Sequence, residues 1–173
     1  MPETVAVPTV ALNNGVSIPQ LGFGVFQVKP DETAATVTAA LDAGYRHIDT
    51  AQMYGNEKQV GEAIAAYDID PAEVFVTSKL NNGFHAYDDA LRAFDQSLAD
   101  LQREQIDLFL IHWPLPAIGF DDAWRALEKG YADGKLTEFE NNIVWRASEL
   151  LHVSSQDRVE IRRRIRATIG DRA

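Results

Sequence analysis

The chain reads as an α/β protein built as a partial (β/α)8 TIM barrel. About four strand–helix units follow an N-terminal β-hairpin and precede a helical C-terminal tail. Three observations predict this. Apolar runs of strand length alternate four times with helically periodic segments between Leu21 and Asp133, a pattern that implies parallel strands with right-handed crossovers. The phosphate-cradling glycine loop of open-sheet nucleotide binders is not matched. Gly22-Phe23-Gly24 falls inside a strand, without the third glycine, and reads as close packing. Finally, the residues able to do chemistry stand at the C-terminal ends of strands, where barrels place them.

The elements follow in order. Val10 and Leu12, the turn Asn13-Asn14-Gly15, then Val16 and Ile18 make a hairpin over residues 8–18. The apolar run Leu21–Phe26 reads as a short buried strand. Pro30-Asp31-Glu32-Thr33 opens a helix that Gly44 stops, with Ala34, Val37, Ala40 and Leu41 inward. His47–Thr50 is the second strand and Glu57–Tyr67 its helix, with Val60, Ala63 and Ile64 on one face. Val74–Leu80 is the third strand, and Tyr87–Leu101 a helix whose Leu91, Phe94, Leu98 and Leu101 share a stripe. Ile106–Trp113 is a buried fourth strand, and Asp121–Asp133 a helix with Trp124, Leu127 and Tyr131. Past Lys135 the alternation stops and no fifth strand is predicted. Residues 136–173 read as two amphipathic helices, the second with Ile161, Ile165 and Ile169 every fourth residue. The organisation is therefore a half barrel over 1–135 and a separate helical tail over 136–173.

The charge supports that junction. Residues 1–135 hold 9 Lys+Arg against 20 Asp+Glu, a net of −11, while residues 136–173 hold 7 against 6, a net of +1. The overall −10 disfavours nucleic acid and anionic membrane as partners. With no cysteine, disulfides and thiolate chemistry are excluded; no metal ligand is assigned. No apolar run spans a bilayer and the first residues lack signal-peptide character, so a cytoplasmic location is expected.

Four residues carry the chemical reading. Asp49 and Tyr54 follow the second strand, Lys79 ends the third and His112 ends the fourth. A carbonyl that accepts hydride develops negative charge on oxygen and needs a proton donor with cationic or dipolar support. A tyrosine hydroxyl is a poor acid near neutrality unless a cation stabilises its phenolate. Lys79 supplies that cation, Asp49 holds the ammonium, and His112 orients the carbonyl oxygen. Taken singly, Asp49 is as well read as a loop anchor, Tyr54 as packing, Lys79 as a solvated loop residue and His112 as a core histidine. Four compatible groups in strand order favour the site.

These residues lie in motifs that closely resemble the aldo-keto reductases. The motifs are Gly22-Phe23-Gly24-Val25-Phe26, His47-Ile48-Asp49-Thr50-Ala51-Gln52-Met53-Tyr54-Gly55-Asn56-Glu57, Thr77-Ser78-Lys79-Leu80, Asp107–Pro114, Trp124–Lys129 and Asp133-Gly134-Lys135. The resemblance covers about Val10 to Lys135. It implies a reductase of aldehydes and ketones that uses NADPH. Tyr54 would be the general acid, Lys79 and Asp49 its tuning pair, and His112 the carbonyl orienter. Phe26, Tyr54, His112 and Trp113 would contact substrate, with Gly24, Val25 and Asp49 near the nicotinamide. The Gly-Phe-Gly-Val-Phe variant is similar to members that reduce diketo-sugar acids and small ketoaldehydes. Downstream of Lys135 the family's Ser-Asn pair, stacking tyrosine and basic adenosine-phosphate loop find no match. The chain reads on this basis as truncated, with a homodimer through the open flank as one way to cover it. The alternative is a catalytically inactive half-barrel remnant, or an interaction module docking through the helix around Arg162-Arg163-Arg164.

Overall fold

The computed structural model describes residues 7–12, 14–113 and 120–141. A two-stranded antiparallel hairpin, β1 (Thr9–Ala11) and β2 (Ser17–Pro19), comes first. Five parallel strands follow in sequence order: β3 (Phe23–Gly24), β4 (His47–Asp49), β5 (Phe75–Leu80), β6 (Ile106–Ile111) and β7 (Leu136–Asn141). The connections carry α1 (Pro30–Asp42), α2 (Glu57–Ala66), α3 (Tyr87–Asp100) and α4 (Asp121–Ala132).

Strand order without reversal decides between the two architectures. A doubly wound sheet reverses its order at a switch point; here every strand pairs with its sequence neighbour. The helices pack consecutively, α1 on α2, α2 on α3 and α3 on α4, in one layer. This is a segment of a (β/α)8 barrel, helices outside.

Local sequence explains the boundaries. Pro30 takes the first turn of α1 with Asp31 and Glu32 beside it, and the chain leaves the helix through Gly44, whose φ is 95°. The side chains of β5 alternate. Val76, Ser78 and Leu80 face the helices, whereas Phe75, Thr77 and Lys79 face the barrel interior with His47 and Asp49. His47 shows this directly, bonding Thr77 Oγ1 through Nε2 at 2.9 Å and packing its ring on Phe75. The helix-facing core joins Val37, Leu41, Val60, Ile64, Phe94, Leu98 and Leu127 to Ile48, Val76, Leu80, Phe109 and Ile111. Phe94 and Phe109 meet edge to face with centroids 5.1 Å apart. Truncating either to alanine costs roughly 3–5 kcal/mol at such sites.

The structure corrects the sequence reading in two places. Residues 136–141 form a fifth parallel strand. Its ladder to β6 runs from Ile106↔Leu136 to Ile111↔Asn141. Leu-Thr-Glu-Phe-Glu-Asn has no clean two-residue alternation, but parallel pairing is made by backbone groups and needs none. Residues 142–173, with their predicted helices and arginine cluster, lie outside the described residues. The run Leu21–Phe26 is not a continuous buried strand: only Phe23–Gly24 pairs, Val25 is fully buried, and Leu21 and Phe26 are exposed. On α4, Leu127 is fully buried and Tyr131 is 47% exposed. The close-packing role of Gly22 holds, since a Cβ there would stand 2.7 Å from His47 Nδ1.

The hairpin closes the N-terminal end of the sheet. Its tip reaches the far strand, Asn14 Nδ2 donating to the Thr137 carbonyl at 3.1 Å. A cleft of about 580 Å³ lies behind it, lined by residues including Val16, Pro19, Arg46, Phe75 and Asp107. That cleft is at the opposite end from the strand termini that bear Tyr54, Lys79 and His112.

Candidate active site

Parallel pairing brings the predicted residues to one level. Asp49 ends β4, where Gly24 of β3 and Thr77 of β5 are its ladder partners. Lys79 lies one inward-facing step further along β5, paired with Leu110. His112 follows β6 directly, its backbone N–H donating to the Leu80 carbonyl at 3.3 Å. Tyr54 arrives on a 3-10 turn, Gln52–Tyr54, which ends at Gly55 with φ of 68°.

Lys79 is the centre of the site. The residue is 7% exposed, and its ammonium donates to Asp49 Oδ1 at 2.7 Å, the Thr50 carbonyl at 2.9 Å and Tyr54 Oη at 3.3 Å. An ammonium has three N–H donors, so these contacts use all of them. A hydroxyl that accepts from Lys79 keeps its own proton to donate elsewhere. Asp49, about a third exposed, anchors the cation from the solvent side.

Aromatic rings frame this hydroxyl. Phe26 packs on Tyr54 with centroids 5.0 Å apart, and His112 meets it edge-on at 5.7 Å. Trp113 stacks on His112 at 6.0 Å with planes 15° apart. Phe26 is 64% and Trp113 40% exposed, so the pair stands at an open mouth. Burial pushes the His112 pKa below its ordinary value and the Lys79 ammonium pushes the same way, while Asp49 opposes both. His112 is therefore neutral at neutral pH. A neutral imidazole donates one hydrogen bond and orients a carbonyl without adding charge.

All the predicted site residues come together at this end, though not all reach the surface. Gly24 and Asp49 are accessible; Val25 is fully buried, its N–H donating to the Asp49 carbonyl at 3.0 Å. Sequence reasoning assigned no role to the residues that brace the site. Asn56, fully buried, accepts from Thr50 Oγ1 at 2.9 Å and donates to the Val25 and Val28 carbonyls at 3.1 and 3.2 Å. Gln52 donates to the Ala93 carbonyl and Ser97 Oγ and accepts from the Asn81 N–H at 2.7 Å, which fixes the turn that carries Tyr54. Glu57 is buried beneath, accepting from Ser78 Oγ at 2.5 Å and Ser97 Oγ at 3.3 Å. The available signal was their run in one segment, Gln52 to Glu57, between a strand and a helix.

Comparison with known proteins agrees with this fold. The model of the Aldo/keto reductase family matches residues 20–140. The chain belongs to the aldo/keto reductase family. It is 48% identical over 129 residues to morphine 6-dehydrogenase of Pseudomonas putida, covering 74% of this chain and 44% of that protein. It is 47% identical over 129 residues to glyoxal reductase of Bacillus subtilis, covering 74% and 46%. A crystal structure of a Bombyx mori aldo-keto reductase in complex with NADP superposes with a TM-score of 0.72 at 34% identity, covering 87% of this chain and 56% of that one. The chain spans about half the length of the curated relatives it matches. A second model, tellurite resistance protein TerB, matches residues 126–163, overlapping the end of the aldo/keto reductase match.

Proposed function

We propose that this aldo/keto reductase chain reduces small aldehydes and ketones to alcohols with NADPH, Tyr54 donating the proton. The observation that carries the reading is the Lys79 ammonium, held by Asp49 at 2.7 Å and placed 3.3 Å from Tyr54 Oη. NADPH, when bound, supplies the hydride to the carbonyl carbon. The described residues fit its nicotinamide end. A Cβ built on Gly24 meets nothing closer than Asp49 Oδ1 at 4.0 Å, so a flat ring has room there. Gly24 and Asp49 would present that surface, with Val25 behind them.

The chain's own groups do the rest. His112, neutral, donates to the carbonyl oxygen and aims it at Tyr54. As the oxygen gains negative charge, the Tyr54 hydroxyl gives up its proton. The phenolate left behind sits against Lys79, whose charge stabilises it, and Asp49 keeps the ammonium from turning away. Phe26 and Trp113 bound the mouth and favour a compact substrate. A small aldehyde is the proposed substrate class, and the similarity to the glyoxal reductase named above supports it. The proposed setting is the cytoplasm; among the described residues no helix is long and apolar enough to cross a membrane.

The test follows NADPH absorbance with glyoxal as substrate, comparing the chain with Tyr54→Phe. Saturable NADPH oxidation that Tyr54→Phe removes supports the reading. Oxidation indifferent to Tyr54, or no saturable NADPH binding below millimolar concentration, refutes it and leaves the inactive half barrel.

A further inference from the structure

The contacts of Asn56 form one continuous chain between the catalytic cation and the turn that carries Phe26. Lys79 Nζ donates to the Thr50 carbonyl at 2.9 Å, and Thr50 Oγ1 donates to Asn56 Oδ1 at 2.9 Å. Asn56 Nδ2 then donates to both the Val25 and the Val28 carbonyls, at 3.1 and 3.2 Å. Those carbonyls bracket a tight turn, closed by the Val28 N–H on the Val25 carbonyl at 3.2 Å, in which Gln27 takes a φ of 64°. A non-glycine residue in the left-handed region is strained and persists only where its surroundings fix it. Between the two clamped carbonyls, Phe26 is 64% exposed, so packing holds it only weakly, yet its ring lies 5.0 Å from Tyr54. The side chain that bridges all this is itself fully buried. An amide is the side chain that suits the position, because it accepts on one end and donates two hydrogen bonds from the other.

We propose that Asn56 is a positioning residue that clamps the 25–28 turn and so sets how closely the Phe26 ring stands to the Tyr54 ring. Through Thr50 the same clamp ties the substrate mouth to Lys79. Its consequence for substrate selection rests on the reductase reading given above; the clamp itself does not.

Three variants test it in the full chain: Asn56→Ala, Thr50→Val, which removes the hydroxyl that holds Asn56 Oδ1, and Thr50→Ser, which keeps it. Amide exchange at Val28, read by NMR without cofactor, is the first measurement. The clamp predicts at least tenfold faster exchange at Val28 in Asn56→Ala, a smaller increase in Thr50→Val, and restoration in Thr50→Ser. Amides of β5 should stay within about twofold of wild type. Unchanged Val28 exchange, or an equal rise in β5, overturns the proposal, the latter showing a general structural role. Should Asn56→Ala fail to fold, the Thr50 pair decides alone. The second measurement is NADPH-dependent reduction of glyoxal and of a bulky aromatic aldehyde. Loosening the turn should raise the KM for the bulky substrate about tenfold more than that for glyoxal, with kcat altered less than threefold; equal changes for both overturn the link to selection. Absence of turnover in the wild type would refute the reductase reading and leave the exchange result to judge the clamp.

Discussion

At Tyr54 the structure adds a donor count to what the sequence offers. Lys79 spends its three N–H groups on Asp49, Thr50 and Tyr54, so the tyrosine oxygen is an acceptor toward lysine and its own proton stays available for donation. Tyr54→Phe should lower kcat by roughly 10²–10⁴, the usual range for removing a positioned general acid, while the thermal unfolding midpoint stays close to wild type. Lys79→Met should reduce kcat comparably and also affect stability, because it leaves Asp49 without its ion partner. Breaking a fully buried pair costs about 3–5 kcal/mol. Asp49 is a third exposed and can be hydrated, so the loss should be smaller than that, measured by urea denaturation. A loss above that range would show the pair to be more deeply desolvated than this geometry implies.

Among elements, α2 comes close against the end of α3 at Gly61. A Cβ on Gly61 would fall 2.6 Å from the carbonyl oxygens of Asp100 and Leu101, which are backbone and cannot swing aside. Gly61→Ala should therefore destabilise by roughly 1–3 kcal/mol, against the mild gain that alanine gives in an unhindered helix. The same helix begins at Glu57. Burial pushes the Glu57 carboxyl pKa above its ordinary value, with the hydrogen bonds from Ser78 and Ser97 working the other way. A folded-state pKa above the unfolded one means that the folded chain holds the proton more tightly. The stability this contributes is complete below the unfolded value, roughly pH 4 to 4.5, and is lost as pH rises through the folded value. Glu57→Gln cannot ionise. Its urea midpoint should rise relative to wild type between about pH 4 and pH 7; a constant difference would show that Glu57 titrates normally.

For the whole molecule, among the described residues the sheet ends in β3 on one side and β7 on the other. End strands present unpaired backbone groups that invite another chain. We propose a homodimer through these end strands. Size exclusion with light scattering should give twice the chain's mass, and NADPH should leave that mass unchanged or raise its proportion. A monomer at tens of micromolar would dismiss the dimer without touching the site.

Much of this was legible in the chain itself. Asp49, Tyr54, Lys79 and His112 could be placed at strand ends because parallel units repeat with apolar periodicity, and periodicity survives in one dimension. The helices α1 to α4 were likewise marked by Pro30, by acidic first turns and by apolar stripes. Less legible was β7, whose pairing is a backbone property, and Phe26, whose exposure depends on a two-residue strand ending before it. The braces were invisible: nothing in the letters Asn56, Gln52 or Glu57 says which carbonyl or hydroxyl each will meet. The sequence determined by itself the order of the units and the strand-end positions of Asp49, Tyr54, Lys79 and His112, because apolar periodicity and spacing fix both. Only the tertiary structure decided that the 3-10 turn carrying Tyr54, the buried Lys79 and the 25–28 turn with Phe26 converge on one side chain, that of Tyr54. That convergence depends on hydrogen bonds between residues some thirty positions apart in the chain, which form only once the parallel strands have set their register.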